Sequence, residues 1–283
     1  MGFFGNLFRS TPRNASAHFA AIDMPQLAER VQQLVNERLA ILEATPSYPA
    51  LRSVHFTLKA HAAVQAAVAP GERAWSRALW WGAMASEALL ACARPSSFEV
   101  YFNREVTVPP AVEPAPGLAG IWREGLQMAV LAGYDEVASA LQRFDIQWLR
   151  AREATSCEAE LLYVHALQGW LSRAPDLGER MVAAAEAIAR PDADDFVLRL
   201  LGAELECLYA LGTGDRGRLH AALTSGLEQH RTYWTRSERV TKPDGFFALG
   251  LSFVARLATA RGVAVDVRSP YLVYSAASGS TSS

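Results

Sequence analysis

The run "EQHRTYWT", Glu228 to Thr235, gathers the side chains best suited to chemistry: His230, Arg231, Tyr233 and Trp234. Histidine can serve as a general base, and aromatic rings beside arginine can stack on nucleic acid. Each role needs company. A base needs a nucleophile or a substrate pocket in reach, and the sequence signals no such partner. A nucleic-acid face needs an extended basic surface, but Glu228 and Glu238 dilute this one and the whole chain carries a net charge of −2. The spacing offers a third account. Leu219, Leu223, Leu227, His230 and Trp234 recur at helical intervals and form one stripe. His230 and Trp234 then extend a packing face, with Trp234 supplying the large buried surface and His230 a polar contact at its edge. Arg231 and Thr232 fall off the stripe, toward solvent or a loop.

Other chemistry-bearing residues have structural accounts of the same kind. Asp192, Asp194 and Asp195 in "PDADD" resemble a carboxylate metal site, yet they precede a helix, where carboxylates cap free N–H groups and meet the positive end of the dipole. Glu204 and Glu206 face different ways on that helix. His55 and His61 lie on different helix faces, and His55, close to the Leu51/Leu58 stripe, reads as a satisfied core histidine. Cys92, Cys157 and Cys207 lie far apart without ligand spacing, and each reads as a small buried thiol in a reducing compartment. HExxH, GxSxG, Walker A and GxGxxG patterns are missing, so no catalytic, metal-ligating or cofactor-binding residue is expected.

The elements that must position these residues are overwhelmingly helical. Asp23 and Pro25 open a first helix whose stripe is Leu27, Val31, Leu34, Val35, Leu39 and Leu42, ending at "TPSYP". A second spans about 51–69. A third carries Trp75, Leu79, Ala83 and Leu90 on one side, and Trp80 and Trp81 widen that face for more than one neighbour. The period then changes: "FEVYFNREVTV" alternates as a β-hairpin at about 98–108, with Asn103 suited to a positive φ in the turn. Further helices are expected at about 117–131, 134–144, 157–172, 177–190, 195–211, 216–234 and 245–261. Their short connections favour antiparallel pairs packed in series, resembling a tetratricopeptide solenoid without its strict repeat. Val263, Val265 and Val267 alternate as a terminal strand or a packed tail. The chain thus divides into an arm (1–22), one mainly α-helical domain (23–275) and a disordered tail (276–283). No stretch is apolar enough for a membrane span, and "MGFFGNLFRS" lacks a signal-peptide core, so cytoplasmic residence is expected.

The segment "LEQHRTYWTRSERVTKPDGFFALGLSFVARLATARGVAVDVRSPYLVYS" resembles the C-terminal part of the Imm49 group of immunity proteins, from bacterial polymorphic toxin systems. The likeness rests on His230, Tyr233 and Trp234, then Ala248-Leu249-Gly250, then Pro270, Tyr271 and Leu272. Trp80 and Trp81, the β-like segment and "LGERMVAAAEAI" extend it upstream, while "MGFFGNLFRSTPRNASAH" departs from it. The resemblance implies a mostly α-helical cytoplasmic protein that binds and neutralises a cognate toxin domain, without catalysis. It also implies that the shared motif defines the fold, since toxin-contacting surfaces differ with each toxin. Asp192, Asp194 and Asp195 are then candidates to face a basic toxin, and Arg231, Arg236 and Arg239 to face an acidic one. Two other readings stand beside it: a tetratricopeptide-like adaptor for partner proteins, and an all-α enzyme using His230.

Overall fold

The computed structural model describes residues 18–70, 74–112, 117–152, 157–236 and 238–274. Residues 1–17 of the expected arm and the tail from 275 lie outside them.

Among the described residues there are eleven α-helices and one two-stranded antiparallel sheet. In chain order they are α1 (Met24–Ala44), α2 (Tyr48–Val68), α3 (Ala74–Cys92), β1 (Phe98–Tyr101), β2 (Glu105–Val108), α4 (Leu118–Ala132), α5 (Asp135–Gln142), α6 (Ile146–Arg152), α7 (Glu158–Ser172), α8 (Leu177–Ile188), α9 (Gly202–Thr213), α10 (Arg216–Trp234) and α11 (Leu249–Ala260). Neighbours in sequence pack on one another from α1 through α4, and α7/α8 and α9/α10 pair in the same way. Helix α11 lies across α4 and α9, joining the earlier helices to the later ones.

Local chemistry sets the boundaries. Asp23 caps α1 by accepting from the Gln26 N–H at 3.1 Å. The "TPSYP" segment, expected only to separate two helices, also starts the second of them. Ser47 accepts from the Ala50 N–H at 3.3 Å, and Pro49 sits in the first turn of α2, where its missing donor costs nothing. Helix α6 adds to the expected set. Its signal is Asp145, whose side chain accepts from the Trp148 N–H at 2.7 Å.

The hairpin pairs Phe98 with Val108 and Tyr101 with Glu105. Its turn does not use a left-handed Asn103. Among the described non-glycine residues only Arg173 has a positive φ, at 55°, closing α7. Trp80 packs against Tyr134, with ring centres 5.0 Å apart, and Trp81 against Phe102 of the turn at 6.0 Å.

The helix expected from 195 to 211 is interrupted by a π turn at Val197–Leu201, where the Gly202 N–H reaches the Val197 carbonyl. The helix expected from Gly245 starts later. Pro243–Phe246 form a 3-10 turn, Phe247 is extended, and the Ala248 N–H is spent on the Tyr271 carbonyl at 2.9 Å. Residues 263–270 form a packed tail, not a strand. Val263, Val265 and Val267 pack against the core, and the Tyr274 hydroxyl donates to the Val265 carbonyl at 2.9 Å.

Candidate functional site

The C-terminal motif is assembled from pieces distant in sequence. His230 is buried on α10, and its Nε2 lies 3.0 Å from the Gly245 carbonyl. A carbonyl only accepts, so Nε2 carries the proton. Burial lowers the His230 pKa to about 4, against the pull of that hydrogen bond, so the ring is neutral at pH 7. The basic nitrogen of this neutral ring is therefore Nδ1. One turn on, Trp234 covers Gly245 so closely that a Cβ there would meet its Cγ at 2.8 Å. The expected roles are therefore exchanged: His230 is the deeper residue and Trp234 the half-buried one. The reason is the turn at 243–246, which covers the histidine and leaves the indole at its rim.

Tyr271 is fully buried, with its ring 5.3 Å from His230. Its hydroxyl accepts the His18 N–H at 2.8 Å and lies 2.9 Å from His18 Nδ1. Phe19 meets Phe246 beside it, 5.1 Å between ring centres. Leu272 is buried and Pro270 exposed. Tyr233 turns the other way, toward Phe196 at 6.1 Å, with the Arg239 guanidinium 4.0 Å over its ring.

Beside this motif lies a charged cluster that sequence reasoning missed. Lys59 of α2 bridges Glu124 of α4 and Asp244 of the 3-10 turn, each at 2.9 Å. Arg123, one residue before Glu124, is 3.3 Å from Glu160 of α7 and 3.8 Å from Glu204 of α9. Glu204 also accepts from Gln127 and from the Tyr163 hydroxyl, both at 2.9 Å. His55 completes the set, with Nε2 3.5 Å from Glu124 and Nδ1 3.0 Å from Ser86 Oγ.

Burial alone would raise the Glu124 carboxyl, but Lys59, His55 and Arg123 outweigh it and hold its pKa well below the usual range. For Glu204 burial wins: it pushes the carboxyl up against the pull of Arg123, Tyr163 and Gln127. Burial would also lower Lys59 and Arg123, yet their carboxylate partners hold both above their ordinary values. Two differently poised carboxyls thus stand in one network that ties together α2, α4, α7, α9 and the approach to α11.

Lys59, Arg123, Glu124, Glu204 and Arg199 line a cavity of about 210 Å³ together with Phe196, His230, Trp234 and Phe247. The first turn of α11 closes it so tightly that a Cβ on Gly250 would fall inside the Glu204 carboxylate. The sequence hid this cluster: Arg123, Glu124 and Gln127 share one stripe of α4 that reads as a solvated face, and only the packing of neighbouring helices buries it.

The acidic turn and the arginine segment, expected to face partners of opposite charge, meet each other. Asp195 accepts Arg199 at 2.7 Å, Arg236 at 2.9 Å and Arg239 at 3.5 Å. Asp194 caps the helix through the Val197 N–H at 2.8 Å. Asp192 is exposed and Arg231 half-buried. Cys92 and Cys207 are buried, but Cys157 is exposed, because it precedes α7 and does not lie within it. Among the described residues no group of His, Cys, Asp and Glu is arranged to hold a metal ion, and no helix is long and apolar enough to cross a membrane.

The chain is a mainly α protein with helices packed in series and a C-terminal motif folded around a buried histidine. Residues 60–272 match the family model described as Immunity protein 49, and the chain belongs to that family, Imm49. No curated protein and no solved structure matches it.

Proposed function

We propose that this protein binds and neutralises a cognate toxin domain of a bacterial contact-dependent or secreted competition system, for example one of the type VI kind. It acts in the cytoplasm by covering the toxin, and catalysis by this chain has no part in the reading. The observation that carries it is the family match over 60–272, which spans α3 through α11 and the packed tail. Stable inhibition needs on the order of 800 Å² buried on each partner. The acidic turn and Arg236/Arg239 enter as one self-paired patch, so Asp195 is not free to oppose a basic toxin. Such a patch at a rim serves orientation and encounter more than affinity. Co-expression with the toxin encoded beside its gene tests the reading. Viability should be restored, and continued killing in the presence of folded protein refutes it.

A further inference from the structure

A second concavity lies away from the C-terminal motif, between α1, α2, α3 and the hairpin turn, with a volume of about 430 Å³. That falls within the roughly 300–1,000 Å³ of ligand pockets. Its floor is apolar: Val35, Leu39, Leu58 and Ala78. Its rim carries the carboxamides of Gln32, Asn36, Gln65 and Asn103. Among the described lining residues the one permanent charge, Arg77, lies 4.6 Å over the Trp81 ring. The Arg104–Glu43 ion pair, 3.0 Å long, fixes the hairpin turn, and with it Asn103, to α1.

A carboxamide presents the same C=O and N–H pair as a peptide bond, and it answers an extended main chain in kind. Gln32 donates to the Asn36 oxygen at 3.1 Å, which leaves the Gln32 oxygen as an acceptor and the Asn36 amino group as a donor. Gln65 lies 3.2 Å from His61 Nε2. Burial lowers the His61 pKa, so this side of the rim is uncharged at pH 7. A charged occupant would find no counter-charge among these residues except a guanidinium already resting on an indole.

We propose that this cleft is where the toxin is gripped: it takes a short, uncharged, extended segment of the toxin. One apolar side chain of that segment seats on the Leu39/Leu58 floor, and its main chain bonds to the rim carboxamides. The inference rests on the immunity reading and adds the contacting face and the chemistry of the contacted segment.

The test is calorimetric titration of the purified chain with the toxin domain encoded beside its gene. Asn36→Arg, at an exposed helical position, fills the cleft and should weaken binding about tenfold or more. Asn36→Gln keeps the carboxamide and should stay within about threefold of the parent, as should Val182→Arg on α8, which adds the same charge far from the cleft. Hydrogen exchange on the bound toxin should show one short contiguous stretch of newly protected main-chain amides. If the parent chain does not bind the toxin, the immunity reading falls and this inference with it. If the parent binds and Asn36→Arg binds equally well, the cleft is overturned while the immunity reading survives. Protection spread along a toxin helix face overturns the extended-segment chemistry. Self-association of the chain that Asn36→Arg abolishes, seen by sedimentation without toxin, assigns the cleft to a second copy and overturns the proposal.

Discussion

Replacing Gly250 by alanine should destabilise the protein although it improves a helix. Alanine is favoured over glycine in a helix by about 1 kcal/mol. Against that gain, the new Cβ occupies the space of the Glu204 carboxylate, so either that group leaves or the start of α11 backs away. If Glu204 leaves, the Tyr163 hydroxyl and the Gln127 amide lose their acceptor inside the core. A buried donor stranded in this way costs about 1–3 kcal/mol. Two of them, less the propensity gain, give about 3 kcal/mol net, or a melting temperature lower by about 6–12 °C. Gly178→Ala is the control: nothing lies within 4 Å of a Cβ there, and the melting temperature should hold or rise. The cycle with Glu204→Ala is the sharper measurement. With the carboxylate already gone only the propensity gain remains, so Gly250→Ala should stabilise by about 1 kcal/mol, a coupling of about 4 kcal/mol. A Gly250→Ala melting temperature within about 2 °C of the parent, or an additive double mutant, refutes the reasoning.

Three other outcomes are expected. His230 titrates near 4 in the folded chain and near 6.5 when unfolded, so its contribution is complete above pH 6.5 and is lost as the pH falls toward 4. That contribution is up to about 3 kcal/mol, and His230→Gln should flatten this limb of a urea-midpoint profile between about pH 7 and 4.5, while costing about 1–3 kcal/mol at pH 7. Tyr271→Phe removes the acceptor of the His18 N–H, and hydrogen exchange should show faster exchange at His18 with the helices unchanged. Asp195→Asn breaks three arginine pairs at a partly exposed site, and urea unfolding at low and high salt should show a loss below about 1 kcal/mol that disappears with salt.

The helices and the hairpin were legible because each is written locally. The stripe of Val31, Val35, Leu39 and Leu42 is the buried face of α1, and the alternation at 98–108 is the paired sheet. Cap chemistry decided the errors: Ser47 with Pro49 moved the start of α2, and Asp145 created α6. The Lys59–Glu124–Arg123–Glu204 network was not legible from pairwise spacing. Its members sit on α2, α4 and α9, far apart in sequence, and only packing joins them. Arg123 on α4 and Glu204 on α9 look like surface charges in the sequence, and only the packed helices take their surface away. The family motif was legible as a motif, but the inversion of His230 and Trp234 was not. It depends on a 3-10 turn that a continuous helix from Gly245 would have replaced.

The bond between His18 and Tyr271 spans 253 positions of chain. Series of helices ordinarily fold from near-neighbour contacts, quickly and piece by piece. Here the contacts that His18 and Phe19 make with Tyr271 must wait until that residue has left the ribosome. Emergence of the packed tail is therefore the step that seals the opening turn of the fold. A chain stopped short of Tyr271 would leave Phe19 and His18 without the ring and hydroxyl that hold them.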